Sequence, residues 1–366
     1  MPLHRETFTI SEDTELSYLT NVTDPTARVL LFLHFWGGSS KTFSRVFDIL
    51  LNSGNNDNNS DDDDHRHDNP GTHQCPQVVA LDFRGWGKST GPLSGTCSKA
   101  TSTTTSSSPS SDSSDDDDRG SSSASSLSSH YYNHSISRLA SDVEALMQYL
   151  RLRDVVLVGH SMGAKVAQMV AGDCCSLLLQ TSTQEERLIR GLVLLAPAPA
   201  RPLRLPEAMR EQQMRAYESW GAAEFVTRDV LLSTRHGLSD KHRKARAGSE
   251  EFRSDDEDER SAAGGIDVEA LVHDMLHGSA AARAAWPAYA MGEDVSPWAE
   301  AIDVPVLVCA GEEDRVEPVA RVRKEVCGVV PGAKLVTIPG AGHLLPVEEP
   351  GRVSSLIIGF LEDLEP

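Results

Sequence analysis

One short segment constrains the fold more than any other. Residues 155–165 read VVLVGHSMGAK, which is an apolar run, then a G-x-S-x-G turn, then the start of a helical pattern. A sharp turn from strand to helix lifts Ser161 above the edge of a sheet, and Gly159 and Gly163 leave room for the crowded backbone on either side. The helix then points its free N–H groups at a reacting carbonyl oxygen. The segment predicts an α/β fold with Ser161 as a nucleophile, and the alternative is a plain Gly-Ser turn.

Seven other short apolar runs accompany this strand. The eight predicted strands cover residues 7–10, 16–19, 28–33, 78–82, 155–159, 192–196, 304–310 and 334–338. Several of them lack alternation, as strands buried on both faces do. Helical patterns lie between them at 136–150, 162–171 and 353–361. This alternation, led by one hairpin, predicts a mostly parallel eight-stranded sheet with helices on both faces.

The stretch before the seventh strand departs from the alternation. It carries four helical patterns and no strand pattern, at residues 206–220, 222–232, 266–277 and 280–291. Helices inserted between two strands of an open sheet are expected over the carboxyl ends of the strands, where ligands bind. We therefore predict a core formed by residues 1–197 and 298–366, with residues 198–297 as a helical cap.

Three polar tracts carry much of the charge. The chain has a formal net charge of -20, and half of it lies near residues 52–74, 94–129 and 240–265. Tracts so poor in apolar residues do not offset the entropy lost on ordering, so we predict three disordered insertions. The acidic balance argues against a nucleic-acid partner, which would need a basic face.

A serine nucleophile needs a base, and the base needs an acid to orient it. His343 lies in the glycine-rich segment PGAGHLLP after the last strand, and Asp314 lies in GEEDRV after the seventh strand. Both loops leave the sheet at the edge where Ser161 stands, and the order Ser, Asp, His is expected with this turn. For His343 the alternative is a surface histidine. For Asp314, the neighbouring Glu312 and Glu313 are alternatives.

The loop after the third strand supplies a second donor for a developing oxyanion. It reads LHFWGGSS over residues 33–40, a glycine-containing turn at the same edge of the sheet. We predict that the backbone N–H groups of Trp36 and Met162 form the oxyanion hole. His34 is predicted to pack this loop and to take no part in the chemistry.

Together these segments resemble the α/β-hydrolase superfamily. Five features match in order, namely residues 34–38, DFRGWGKS at 82–89, the turn around Ser161, residues 311–314 and Gly342-His343. The resemblance covers the chain outside the polar tracts and implies that Asp82 and Arg84 are structural. A serine at position 161 indicates the serine branch, since epoxide hydrolases and haloalkane dehalogenases have an aspartate there. One departure is Phe35, which stands where the family usually has glycine and constrains the backbone beside Trp36.

The constellation predicts a serine hydrolase that attacks a small-molecule ester or related acyl substrate and passes through an acyl-enzyme. This chemistry needs no metal and no organic cofactor. Cofactor-free C–C hydrolases, lactonases and perhydrolases of the non-haem haloperoxidase kind use the same three groups and remain alternatives. A non-catalytic binding protein on this fold, or a scaffold whose acidic Ser-rich tracts recruit partners, are alternatives from other classes.

Two groups of residues in the predicted cap have a second interpretation. His273 and His277 lie four apart on a helical pattern, which is metal-ligand spacing, but no third ligand accompanies them and no metal site is predicted. The aromatic residues Trp220, Trp286 and Tyr289 either line a pocket or simply pack.

The expected location is cytoplasmic. The N-terminal residues contain no apolar run of the secretory type, and no run is long enough to span a membrane. The six cysteines are scattered, as expected for free thiols and not for a disulfide framework.

Overall fold

The computed structural model describes residues 2–52, 76–92, 133–178, 188–237 and 265–364. The three tracts predicted as disordered, near 52–74, 94–129 and 240–265, lie almost entirely outside the described residues. Within the described ranges, strands and helices alternate along the chain as the sequence predicts.

The described residues contain one sheet of eight strands. These are β1 (His4–Ser11), β2 (Thr14–Thr20), β3 (Arg28–Leu33), β4 (Gln77–Asp82), β5 (Asp154–His160), β6 (Ile189–Leu195), β7 (Val306–Gly311) and β8 (Lys334–Ile338). They lie in the order β1-β2-β4-β3-β5-β6-β7-β8. β2 runs antiparallel to both of its neighbours, and the other adjacent pairs are parallel. The predicted hairpin and the mostly parallel eight-stranded sheet are confirmed.

Apolar side chains cover both faces of the sheet. Along β3, Val29 and Leu31 enter one buried cluster, whereas Leu30 and Phe32 enter another, because successive residues of a strand face opposite sides. Helices α2 (Ile136–Tyr149) and α3 (Met162–Leu178) contribute to the first cluster, and α1 (Ser44–Asn52) and α11 (Pro350–Leu364) to the second. Burial on both faces explains why β3 is continuously apolar after Arg28.

The described chain between β6 and β7 forms helices and no strand. These are α4 (Glu207–Met214), α5 (Trp220–Val226), α6 (Val268–His277), α7 (Ala280–Ala288) and α8 (Ser296–Glu300), with a π-helical turn at Thr227–Leu231. The pattern at 206–220 predicts one helix, but α4 ends at Met214, and the side chain of Ser219 accepts the backbone N–H of Ala222 at the start of α5. A serine at this position caps a new helix, which accounts for the break.

Two short helices carry the chain away from the last two strands. α9 (Val319–Arg321) follows β7, and α10 (Leu345–Glu348) follows β8 and leads into α11. Among the described helices, none is long and apolar enough to cross a membrane.

Candidate active site

Ser161 stands on the sharp turn between β5 and α3. Its backbone lies in the left-handed region with a φ of +54°, a conformation that persists in a non-glycine residue only where the surroundings fix it. A Cβ on Gly159 would lie 2.6 Å from Cα of Ala164, and one on Gly163 would overlap the backbone carbonyl of Leu33. The turn therefore requires both glycines, as the sequence predicts.

Two hydrogen bonds link three of the predicted site residues. Nε2 of His343 lies 2.9 Å from Oγ of Ser161, and Nδ1 of His343 lies 2.9 Å from Oδ2 of Asp314. His343 is 2% exposed, Asp314 5% and Ser161 8%, so the serine is the most accessible of the three. This geometry allows the imidazole to take the serine proton while the carboxylate fixes its tautomer.

The other oxygen of Asp314 is also satisfied. The backbone N–H groups of Val316 and Glu317 donate to Oδ1 at 2.8 and 2.9 Å. Burial alone would raise the pKa of Asp314, but the nearby imidazole of His343 and these hydrogen bonds hold that pKa below its usual value. The carboxylate therefore carries its charge beside the imidazole.

The two neighbouring glutamates, which the sequence leaves as alternatives to Asp314, have other partners. Glu312 accepts the backbone N–H of Gly340 at 3.1 Å. Glu313 accepts the backbone N–H of Thr234 at 2.8 Å. Of the three consecutive carboxyl groups, Asp314 is the one that meets the imidazole.

Charged neighbours set the basicity of His343. Burial alone would lower the pKa of His343, but the charge and hydrogen bond of Asp314, with smaller effects of Glu317 and Glu348, raise it above its ordinary value. His160 is also fully buried, and its Nε2–H donates to the backbone carbonyl of His343 at 2.8 Å. Burial lowers the pKa of His160 to about 3, so this ring is neutral. Its contact was not foreseen, although the residue lies inside the motif.

The predicted oxyanion donors flank the turn at Ser161. Met162 follows the serine directly, and Gly163 packs against the carbonyls of Leu33 and His34 in the loop that leads to Trp36. Among the hydrogen bonds of the described residues, none uses the backbone N–H of Trp36 or of Met162. The oxyanion hole formed by these two groups stays a prediction.

Two residues of the insertion, Tyr217 and Arg283, hold Trp36. The hydroxyl of Tyr217 donates to the carbonyl of Trp36 at 2.9 Å, and the indole N–H of Trp36 donates to the carbonyl of Arg283 at 3.0 Å. The guanidinium of Arg283 donates in turn to the carbonyl of Tyr217 at 2.6 Å. Sequence patterns do not reveal Tyr217, because it meets this loop only through the fold.

Phe35 stands where the family usually has glycine, and its backbone does not adopt the left-handed conformation. Of the described residues other than glycine, only Arg151, Ser161 and Ala196 have positive φ. The left-handed position in this loop is taken by Gly37, with a φ of +99°. The Phe35 ring is buried, with its centroid 5.1 Å from that of His160.

Three conspicuous polar residues have structural partners, as the sequence predicts. The pairings are Nε2 of His34 with the backbone N–H of Phe83, the carboxylate of Asp82 with Arg5 and the backbone N–H of Ser40, and Arg84 with Asp142. All three polar residues are buried.

Residues 229–235 of the insertion, here called the strap, contact both loops that carry Asp314 and His343. The contacts are the Leu231 carbonyl with the backbone N–H of His343 (2.7 Å), the Ser233 N–H with Glu348 (2.9 Å), the Thr234 N–H with Glu313 (2.8 Å), the Asp229 carbonyl with Arg315 (2.7 Å), and Arg235 with Glu349. No motif marks the strap, and the sequence analysis missed it and Glu348.

The remaining residues singled out in the sequence lie on or directly after the inserted helices. The rings of His273 and His277 stack with centroids 3.8 Å apart, and no group of three or more metal-ligating side chains occurs among the described residues. Trp286 lies in the apolar core, Tyr289 packs against it, and Trp220 is 45% exposed.

Comparison with known sequences places the fold among known enzymes. The model of the alpha/beta hydrolase family matches residues 30–356. Over 234 residues the chain is 27% identical to a Bacillus subtilis protein named 2-succinyl-6-hydroxy-2,4-cyclohexadiene-1-carboxylate synthase. That alignment covers 63% of this chain and 74% of the other.

Solved structures share the fold over nearly the whole chain. A bromoperoxidase from Bacillus anthracis is similar with a TM-score of 0.64 and 16% identity, covering 98% of this chain and 100% of the other. A thermophilic esterase from Thermogutta terrifontis is similar with a TM-score of 0.61 and 18% identity, covering 99% and 100%. At these identities the likeness concerns the fold alone.

Proposed function

Because this chain belongs to the alpha/beta hydrolase family, we propose that it is a serine hydrolase acting on a small-molecule carboxylic ester or related acyl substrate. The observation that carries the proposal is the unbroken pair of hydrogen bonds from Ser161 through His343 to Asp314, each 2.9 Å long. In this reaction Ser161 is the nucleophile, His343 the general base, and Asp314 the acid that orients the imidazole.

The first half of the reaction acylates the serine. Oγ of Ser161 attacks the carbonyl carbon while Nε2 of His343 takes its proton, and the carbonyl electron pair moves onto oxygen. The backbone N–H groups of Trp36 and Met162 donate to that oxyanion. The intermediate then collapses, the ester C–O bond breaks, and the proton on Nε2 passes to the leaving alcohol.

The second half releases the acid. Water attacks the acyl-enzyme as His343 takes one of its protons, and the same two amides stabilise the second oxyanion. Collapse breaks the bond to Oγ, which regains a proton from the imidazolium. Throughout, the lowered pKa of Asp314 keeps a negative charge beside the ring when the ring becomes cationic.

Residues 198–297 are assigned to a cap on a core formed by residues 1–197 and 298–366. The contacts of Tyr217 with Trp36 and of Leu231 with His343 support this assignment, because both bring inserted residues to the site. A cap in this place determines how much space the binding site has for the acyl group of the substrate. A panel of p-nitrophenyl esters of increasing chain length, with lactones and diketones beside it, measures that selectivity. Faster turnover of a lactone or a diketone than of any ester would replace the ester assignment.

The nucleophile is tested with Ser161→Ala and the matched surface variant Ser355→Ala. We expect Ser161→Ala to lose both p-nitrophenyl ester turnover and covalent labelling by a fluorophosphonate, since no other hydroxyl contacts His343 among the described residues. Ser355→Ala retains both. A wild-type protein that neither turns over esters nor takes the label is a binding protein, and equal labelling of Ser161→Ala removes the nucleophile assignment.

A further inference from the structure

Glu348 is a buried carboxylate close to the base in the chain. It ends α10, five residues after His343, and is 6% exposed. Four hydrogen bonds of backbone N–H groups converge on it. Oε1 accepts from Gly342 and Leu344, each at 3.2 Å, and Oε2 accepts from Gly342 at 3.1 Å and from Ser233 at 2.9 Å.

These donors enclose the base on both sides. Gly342 and Leu344 are the residues directly before and after His343, so one carboxylate fixes the backbone from which the imidazole projects. Hydrogen bonds from N–H groups to an ionised acceptor are stronger than neutral ones. A displacement of about 1 Å at a catalytic group lowers turnover by roughly 100-fold, so this fixation bears directly on rate.

The third donor, Ser233, belongs to the strap. Ser233 gives its N–H to Glu348, and Leu231 accepts the N–H of His343 at 2.7 Å. A Cβ on Gly342 would lie 2.5 Å from the Ser233 nitrogen, so glycine allows the two backbones to meet. The strap and the His343 loop are thereby joined by hydrogen bonds in both directions.

We propose that Glu348 is a positioning residue for His343, which it holds through the two flanking amides and ties to the strap through Ser233. This inference rests on the proposed function, because it concerns the base of that reaction. Glu348 itself touches no reacting atom.

The charge of Glu348 also acts on the imidazole. The titratable groups facing His343 are Asp314 and Glu317 from the loop after β7, His160 from β5, and Glu348 from α10. The charges of Asp314 and Glu348 favour the protonated ring, whereas burial raises the pKa of Glu317 to about 8 and His160 is neutral at the pH of an assay. Removing the Glu348 charge therefore lowers the pKa of His343.

The test compares Glu348→Gln with Glu362→Gln in the full chain. Glutamine keeps the shape but turns an N–H₂ group toward backbone donors, so we expect kcat to fall by about 10- to 100-fold with KM nearly unchanged. The acid limb of the kcat/KM profile, which reports the base in the free enzyme, moves to lower pH. Glu362→Gln removes the same charge at an exposed position of α11, away from the strap contacts, and leaves both readouts at wild-type values.

A second variant separates charge from geometry. Glu348→Asp keeps the charge but shortens the side chain, so kcat falls while the acid limb stays in place. Each rate is divided by the concentration of sites that take a fluorophosphonate, so that unfolded protein does not count. If Glu348→Gln matches Glu362→Gln in kcat per site and in its acid limb, the positioning role is wrong. If wild-type protein takes no label at all, the serine-hydrolase proposal fails before Glu348 is tested.

Discussion

The nucleophile side and the base side of the site are held by different kinds of contact. Ser161 can adopt its strained turn between a strand and a helix because two chain neighbours, Gly159 and Gly163, leave room for it. The His343 loop is fixed from a distance, since Glu348 at the end of the following helix α10 accepts the N–H of Ser233, which lies 115 positions earlier in the chain. The turn at Ser161 depends on a few consecutive residues. The contacts of the His343 loop form only after the insertion has packed against the sheet.

The largest effect is expected from Asp314→Asn, which replaces the acid that orients the base His343. An amide N–H₂ facing Nδ1 selects the wrong tautomer of His343, and kcat falls by about 10³- to 10⁴-fold. Steady-state kinetics with a p-nitrophenyl ester measure this loss. Glu312→Gln is the matched control and stays near wild type, because this exposed carboxylate contacts Gly340 and not the imidazole. A comparable loss of kcat in Glu312→Gln would contradict the assignment of Asp314 as the acid, because Glu312 is one of the alternatives that the sequence leaves open.

A smaller effect is expected from Gly163→Ala, which disturbs the turn that carries the nucleophile Ser161. The added methyl group meets the carbonyls of Leu33 and His34, so the turn must shift, with a loss of about 1–3 kcal/mol in the free energy of unfolding. The accompanying displacement of Ser161 lowers kcat by roughly 100-fold. Urea unfolding and ester kinetics measure the two changes.

Gly359→Ala is the control for that experiment. Gly359 lies in α11 with nothing within 4 Å of its Cβ position, so alanine there raises stability by up to about 1 kcal/mol and leaves the rate unchanged. Equal behaviour of the two variants would mean that the turn at Ser161 is not under steric constraint.

The smallest effect is expected from Tyr217→Phe. This variant tests whether the Trp36 loop is held by its chain neighbours or by contacts with distant residues. The change deletes the hydrogen bond to the Trp36 carbonyl, which is worth about 1 kcal/mol, or roughly 5-fold if it acts only in the transition state. We expect a fall of that size in kcat, with KM retained. The control is Tyr149→Phe, because that side chain is 54% exposed. An unchanged kcat would show that the loop is held locally, like Ser161.

This contrast also explains how far sequence reasoning reaches. The turn at Ser161, the succession of strands along the chain and the glycine-rich loop of His343 follow from adjacent residue types and their spacing. Asp314 could be placed in a loop but not separated from Glu312 and Glu313, because the choice depends on how that loop curls over the edge of the sheet. The roles of Tyr217 and Ser233 could not be predicted, because each meets a loop distant in the chain through ordinary polar groups that no periodicity marks.

The strap meets the loops of the site largely through its main chain. The carbonyls of Asp229 and Leu231 and the amides of Ser233 and Thr234 make these contacts, and every amino acid except proline offers the same atoms. Point mutations along this segment can therefore alter its side chains while the loops beneath stay anchored. Natural or laboratory evolution can use these positions to change selectivity without sacrificing the machinery that breaks the bond.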